Sequence, residues 1–356
     1  MVNDFIEYWA AAKLLLSGGN PYSAEQLLQL QRTVGWSKNE ALLMWNPPGT
    51  LFFIAPLGLL DYNTGQFLWF VIHFMIIFVC ARVLWQTYDG APRSTWWPLL
   101  SALTFAPTYL LLIQGQIGGL ILLGLILFLH SVKRHAWDSA GLNLSLVSIK
   151  PHLIYLFWLA IAAWSIRERR WKFLRGWLIG VIVTGTAPLF FDPAIYSQYM
   201  DLVQSHDVHP PLYWATPSLG TVLRVFVDRG GWVHWLPSVA GAAWMFWYWR
   251  RHAESWDWRE QLPIVLLVAV VTASFVWTFD QIVLLPAVIQ CAVWLSRSSS
   301  RILRRLIIAI HILINGGILW SKLHVPNDFW YFWMAPIYLI LFFSARWIAR
   351  PARAST

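Results

Sequence analysis

Residues 66–86 hold one charged side chain, Arg82, in twenty-one positions. A helix needs about 20 apolar residues to cross the roughly 30 Å hydrocarbon core of a bilayer. Comparable apolar runs recur at 97–113, 117–131, 139–149, 151–165, 173–191, 232–249, 261–278, 282–296, 303–320 and 330–348. That repetition predicts an all-α polytopic membrane protein of about 11 membrane helices, with juxtamembrane helices outside them. Only 12% of the 356 residues are charged, against roughly 25% in an ordinary soluble chain. The 26 tryptophans suit a chain whose many span ends meet the membrane interface. A soluble sugar binder rich in tryptophan would not repeat such runs. Cys80 and Cys291 both lie inside apolar runs, which predicts buried free thiols and neither a disulfide framework nor a zinc site.

The net charge of +9 would suggest nucleic acid in a soluble protein. Here the basic residues alternate from loop to loop instead. One set of loops carries nineteen of the 26 Lys and Arg residues with six acids; the other keeps seven with eleven acids. The positive-inside rule makes the first set cytoplasmic. Residues 1–65, the Gln114-Gly115-Gln116 turn, the loop 192–231, Asp280 and the loop 321–329 are then expected outside. A single integral membrane domain, 1–356, follows. It comprises an external first segment 1–65, a membrane module 66–191, an external loop 192–231 and C-terminal membrane helices 232–356.

Two expectations come from this orientation. Residues 139–165 look like one long span, yet that would put the five Lys and Arg residues of 166–175 outside. Splitting the run at Ile149-Lys150-Pro151 repairs the topology. The first half is then only roughly 17 Å long at 1.5 Å per residue, so Lys150 is expected below the outer surface at a break between two short helices. Broken backbone at that depth is tolerated where it is buried or lines a cavity. The stretch 42–60, interrupted by Asn46-Pro47-Pro48-Gly49, is expected to lie at the outer interface without crossing.

Polar groups expected at the outer leaflet are Asp4, Glu7, Gln114, Gln116, Lys150, His152, Asp280, Lys322 and His324. Charges near membrane depth are expensive and are functional candidates by default. Each also has a plain structural reading. Asp4 and Glu7 suit the start of a helix. Lys150 can snorkel or neutralise a phosphate entering from the bilayer. Gln114 and Gln116 flank a glycine, where they satisfy a tight turn or bond a sugar. Asp280, after Trp277-Thr278-Phe279, fits a bare exterior turn. His206 and His209 around Asp207 fit a solvated loop better than a metal site. There is no Gly-rich nucleotide loop and no GxSxG elbow.

Four stretches, taken in order, resemble glycosyltransferase family 87 (DUF2029), the polyprenyl-phosphate-mannose-dependent α-mannosyltransferases of the C-type superfamily. They are Asp4-Phe5-Ile6-Glu7-Tyr8 running into Gly19-Asn20-Pro21-Tyr22; Trp45-Asn46-Pro47-Pro48-Gly49 with Ala55-Pro56-Leu57; Gln114-Gly115-Gln116-Ile117; and Ser148-Ile149-Lys150-Pro151 before a basic loop. The resemblance covers about residues 4–190. Beyond that only Asp280-Gln281-Ile282-Val283-Leu284-Leu285-Pro286 looks like a family segment.

The resemblance implies the C-type glycosyltransferase fold and a lipid-linked sugar phosphate as donor, with no other cofactor and no metal. It implies a glycolipid or glycan acceptor and inverting transfer of a hexose, mannose by the family pattern. It places the enzyme in the plasma (cytoplasmic or inner) membrane of the cell envelope, with membrane lipid around it and its active site facing outside. Asp4, by its motif, is the general base on the acceptor hydroxyl. An exposed Asp near its reference pKa of about 4 would be ionised at neutral pH. Lys150 is the candidate for the leaving phosphate, on its depth and charge. Glu7, Tyr8, Asn20, Tyr22, Gln114, Gln116, Asp280 and His324 are expected to border the sugar and acceptor pocket, roofed by 42–60. His324 is expected to compensate for a family histidine that is replaced here by Phe279-Asp280. The family also carries a span ahead of its aspartate. That predicts a start placed downstream of the true one, or a fragment.

Two other functions compete with the transferase. A transporter or flippase of lipid-linked saccharides predicts internal repeats and midplane polar groups; no clear repeat is present and the polar groups cluster on one side. A non-catalytic relative would have lost the base; the intact Asp4 argues against it, while the missing first span keeps it as an alternative.

Overall fold

The computed structural model describes residues 3–92, 96–205, 214–227, 231–298, 300–325 and 327–349. All regular structure among them is helical. Five helices are long and apolar enough to cross a bilayer: Tyr62–Thr87, Trp171–Phe190, Phe279–Arg297, Arg301–His324 and Asp328–Ala349. The chain is therefore an integral membrane protein.

Two further pairs pass the same test only when joined across a break, which brings the total to up to seven. One is Trp96–Leu103 with Ala106–Gln114, bent by 70°; the other is Trp137–Ile149 with Pro151–Arg167, bent by 117°. The expected count of eleven treated every apolar run as a crossing. Three of those runs form shorter helices, Gly118–Lys133, Leu236–His252 and Trp258–Thr272. The run 139–165 does break at Lys150, as the loop charges require. Proline has no amide hydrogen and disfavours helical geometry in the residue before it. Lys150 accordingly leaves the helical region, with φ −135° and ψ 73°.

The chain forms two compact units. The first comprises 1–76, 111–150 and 170–214. Its N-terminal helix, Phe5–Leu16, is apolar around most of its surface, with Glu7 and Lys13 its two charged residues, and buries nine of its twelve residues. A helix hydrophobic all round belongs inside a structure. Phe5 and Tyr8 pack against Trp69, and Trp9 sets its ring edge-on to Tyr62. The helix ends where Gly18 takes a left-handed φ of 75°, as C-terminal glycines do, and the Gly19 amide returns to the Leu14 carbonyl at 2.8 Å. Helix Ala24–Arg32 follows, capped by Ser23. The stretch expected to lie along the interface forms a short apolar helix, Pro48–Leu59. At 1.5 Å per residue it spans about 18 Å, too short to cross. It packs against the N-terminal helix at Gly58, where a side chain would strike the backbone of Ala12.

Glycines also let helix Trp137–Asn143 approach helix Trp171–Thr186. A Cβ on Gly141 would collide with the Phe173 backbone, and one on Gly176 with the Asp138 backbone. Small residues permit such contacts between membrane helices, which associate by van der Waals packing.

The second unit comprises 77–110, 151–169 and 215–356. Its interior is crossed by polar side chains that satisfy broken backbone. Asn315 accepts from the Ala106 amide at 2.7 Å and from the Tyr338 hydroxyl at 2.8 Å. The Ala106 amide opens a helix after the Thr104–Phe105 break and would otherwise be unpaired. Thr216, Ser218 and Thr221 bond one another, and the Ser218 hydroxyl donates to the Ser274 carbonyl at 2.9 Å. Tyr155 donates to the Ser238 carbonyl at 2.9 Å. Both cysteines are free; Cys80 is buried and Cys291 half-buried.

Candidate active site

Asp4 stands at the N-terminus of helix Phe5–Leu16, and its side chain caps no amide of that helix. It bonds elsewhere. The Gln116 side-chain amide donates to Asp4 Oδ2 at 3.0 Å. Gln116 Oε1 in turn accepts from the Tyr8 hydroxyl at 2.9 Å. Tyr8 thus orients the buried Gln116, and Gln116 holds one oxygen of the carboxylate. No hydrogen bond from the described residues reaches Asp4 Oδ1.

The Gln-Gly-Gln turn supports this arrangement. Gly115 has φ 70°, a conformation that is cheap only for glycine. A Cβ there would also come within 2.8 Å of Phe5 Cβ. Trp69 Nε1 donates to the Gly115 carbonyl at 2.8 Å, and Asn3 Nδ2 to the Ile113 carbonyl at 2.7 Å. Gln114 is half-buried, with an Oε1 that has no partner among the described residues. An unpaired buried acceptor is costly, which fits a group waiting for a donor on a ligand.

Lys150 belongs to the same unit. Its position is set through Asn46, whose Nδ2 donates to the Ile149 carbonyl at 3.2 Å. The Tyr22 hydroxyl lies 3.4 Å from the Asn46 carbonyl, and the Tyr22 ring packs against Tyr199 at 5.2 Å. Tyr199 bonds the Trp45 carbonyl at 3.3 Å. The Trp45-Asn46-Pro47 segment is thus a strut that ends beside Lys150.

The electrostatics of Asp4 differ from the expectation of an exposed, ordinary carboxylate. The side chain is half-buried. Burial raises its pKa above the ordinary aspartate value of 3.8; the Gln116 hydrogen bond and the charges of Lys38 and Lys150 oppose that rise. Desolvation disfavours the charged form, whereas nearby cations favour it. Sequence reasoning missed Lys38. It is an exposed lysine in a polar loop, and nothing in its spacing marks it.

The other expected pocket residues have their own local settings. Glu7 lies in the first turn of the helix with its side chain buried. Asn20 is committed to the turn after the helix: its Oδ1 accepts from the Tyr22 amide at 2.8 Å, and its own amide donates to Gln26 at 2.9 Å. Asp280 and His324 belong to the second unit, as do His152 and Lys322. Asp280 is not a bare exterior turn. It is 2% exposed in the 3-10 segment Phe279–Leu284, and its carboxylate accepts from the Trp277 amide at 3.1 Å. His324 is exposed, with Nδ1 3.0 Å from the Trp320 carbonyl of its own helix. His152 sets its ring edge-on to Phe275. Lys322 forms an ion pair with Asp328, which also accepts from the Thr278 hydroxyl at 2.9 Å. His206, Asp207 and His209 lie outside the described residues.

A helical membrane protein with a half-buried acid, an ordered amide and two cations acting on that acid has the elements of a group-transfer site. The sequence model of glycosyltransferase family 87 matches residues 45–274, well over half of the chain, and the protein belongs to that family. Its activity is accordingly that of a glycosyltransferase. The matched region contains Gln114, Gln116 and Lys150 and begins after Asp4. No curated protein and no solved structure matches the chain.

Proposed function

We propose that the enzyme transfers a hexose, mannose by the family resemblance, from a polyprenyl-phosphate donor to a glycolipid or glycan acceptor on the outer face of the plasma membrane. Asp4 is the general base. The acceptor hydroxyl gives its proton to Asp4 Oδ1 as its oxygen bonds to the anomeric carbon. The bond from that carbon to the phosphate oxygen breaks on the opposite face, so the configuration inverts. Polyprenyl phosphate leaves with the bonding electron pair. Lys150 meets the charge that develops on it, as a preorganised cation in a site of low dielectric does.

The observation that carries this reading is the chain from Tyr8 through Gln116 to one oxygen of Asp4. It fixes the carboxylate and leaves the second oxygen to a substrate. A base held in place contributes through position as well as proton affinity, and burial increases that affinity. The unpaired Gln114 oxygen is the acceptor for a sugar hydroxyl. The charge asymmetry of the loops supports an outward-facing site.

The test is Asp4→Asn, assayed in membranes with a polyprenyl-phosphate hexose donor. Removing a general base costs roughly 10²–10⁴-fold in rate, and loss on that scale with normal membrane insertion is the expected result. Transfer at the parent rate would remove Asp4 from the mechanism.

A further inference from the structure

A cavity of about 800 Å³ lies wholly within the second unit, and the proposed transfer makes no use of it. Helix Arg301–His324 lines it with Arg304, Ile307, Ile308, His311 and Ile312. These positions are three and four apart and share one helix face. The helix has little protein around it: only 17% of its most apolar window is buried. Three small residues, Ala287, Cys291 and Ala292, also line the cavity. The stripe stays apolar from Arg304 to His311, roughly 10 Å at 1.5 Å per residue. It ends at a polar pair, His311 Nε2 and Thr104 Oγ1, 3.3 Å apart.

The opposite end of the stripe is basic. Arg297 and Arg304 line it together with Asp89. The Asp89 carboxylate is already paired with Arg259. Arg297 donates to the Asp89 backbone carbonyl, which carries no charge. Neither Arg297 nor Arg304 meets a carboxylate among the described residues. The cavity therefore combines an apolar trough with two guanidinium groups that pair with no carboxylate among the described residues. The loop charges put this basic end on the cytoplasmic side.

We infer that the cavity seats an anionic glycerophospholipid, its phosphate on Arg297 and Arg304 and an acyl chain along the 304–312 stripe. The volume lies within the roughly 300–1,000 Å³ of ordinary small-molecule sites. Guanidinium groups suit phosphate recognition by geometry as well as charge. Basic pockets between membrane helices on the cytoplasmic side bind anionic headgroups. The lipid completes the packing of helix Arg301–His324, so stability depends on the membrane's anionic lipid content.

The test uses the full chain in detergent micelles, titrated with phosphatidylglycerol or with phosphatidylcholine of the same acyl chains. Thermal unfolding and bound-lipid mass are read together. Phosphatidylglycerol should raise the unfolding temperature and stay bound, and phosphatidylcholine should do neither. Arg297→Gln with Arg304→Gln should abolish that preference, weakening binding about fivefold per arginine. Ala292→Phe, which fills the trough, should lower lipid occupancy with both arginines intact; if that variant does not fold, the arginine pair decides. Equal effects of the two lipids, the same shift from inorganic phosphate, or a preference that survives both arginine changes would each overturn the inference.

Discussion

Gln116 donates its side-chain amide to Asp4 across 112 positions of sequence, at 3.0 Å. The bond lowers the proton affinity that burial raises in Asp4. Its removal should therefore move the carboxyl further up, because hydrogen bonds to the charged form favour that form. In Gln116→Leu the acidic limb of kcat/KM against pH should shift to higher pH. At neutral pH the rate should fall about 10-fold, as expected when an aligned group is loosened. An unshifted limb would mean that Gln116 does not act on the base.

The parent enzyme should itself show an acidic limb above the ordinary aspartate value of 3.8, since the Asp4 pKa is raised and transfer needs the ionised form. Lys38 lowers that pKa from an exposed position. Lys38→Gln should move the limb upward at low salt. In 0.5 M salt, where the Debye length is only a few ångströms, parent and variant should converge. A difference that persists in salt would point to a direct contact.

Stability should run against activity at Asp4. A carboxyl that binds its proton more tightly when folded stabilises the fold fully only below its unfolded pKa. That contribution disappears as pH rises through the folded value. At neutral pH the half-buried, ionised Asp4 consequently costs the fold. Asn carries no such charge, and its side-chain oxygen can still accept from Gln116. Asp4→Asn should unfold no earlier than the parent at pH 7, and the difference should narrow as pH falls. Earlier unfolding of the variant at pH 7 would count against a raised pKa.

Asn46→Ala should affect the donor more than the acceptor. It removes the tie to the Ile149 carbonyl beside Lys150 and leaves a buried acceptor unpaired, at about 1–3 kcal/mol. The donor KM should rise in this variant and in Lys150→Met, with the acceptor KM unchanged in both. A donor KM at the parent value in Asn46→Ala would separate the strut from phosphate binding.

The break at Lys150 was legible in the sequence because two local signals agree there: Pro151 forbids a regular helix, and the basic loop beyond it forbids a single crossing. The Gln-Gly-Gln turn was legible through its glycine. The eleven apolar runs were legible as helices, but their lengths depend on where caps and prolines end them, so only five stand as clear spans. The burial of Asp4 was hidden, since it depends on helix Phe5–Leu16 packing among partners as distant as Tyr62 and Trp69. The role of Asn46 was hidden for the same reason: its bond to Ile149 spans 103 positions. The local bonds of Asp280 and Asn20 were hidden because short side chains that satisfy nearby backbone are not revealed by residue type alone.

Gly176→Leu should destabilise the first unit by about 1–3 kcal/mol, the usual cost of overpacking. The added side chain would meet the Asp138 backbone of the neighbouring helix. Gly316→Leu, at a position with nothing within 4 Å of a built Cβ, provides the control. Unfolding temperatures of the two variants in detergent compare them directly, and equal losses would argue against a tight contact at Gly176.

Helix Phe5–Leu16 is encased along nearly its whole length, and the proposed base sits at its tip. A side chain mounted on so fixed a post cannot travel to meet a substrate. Tolerance for different acceptors must then reside in the surrounding loops, where sequence can drift cheaply. Relatives acting on different acceptors should accordingly differ in those loops while this post stays the same.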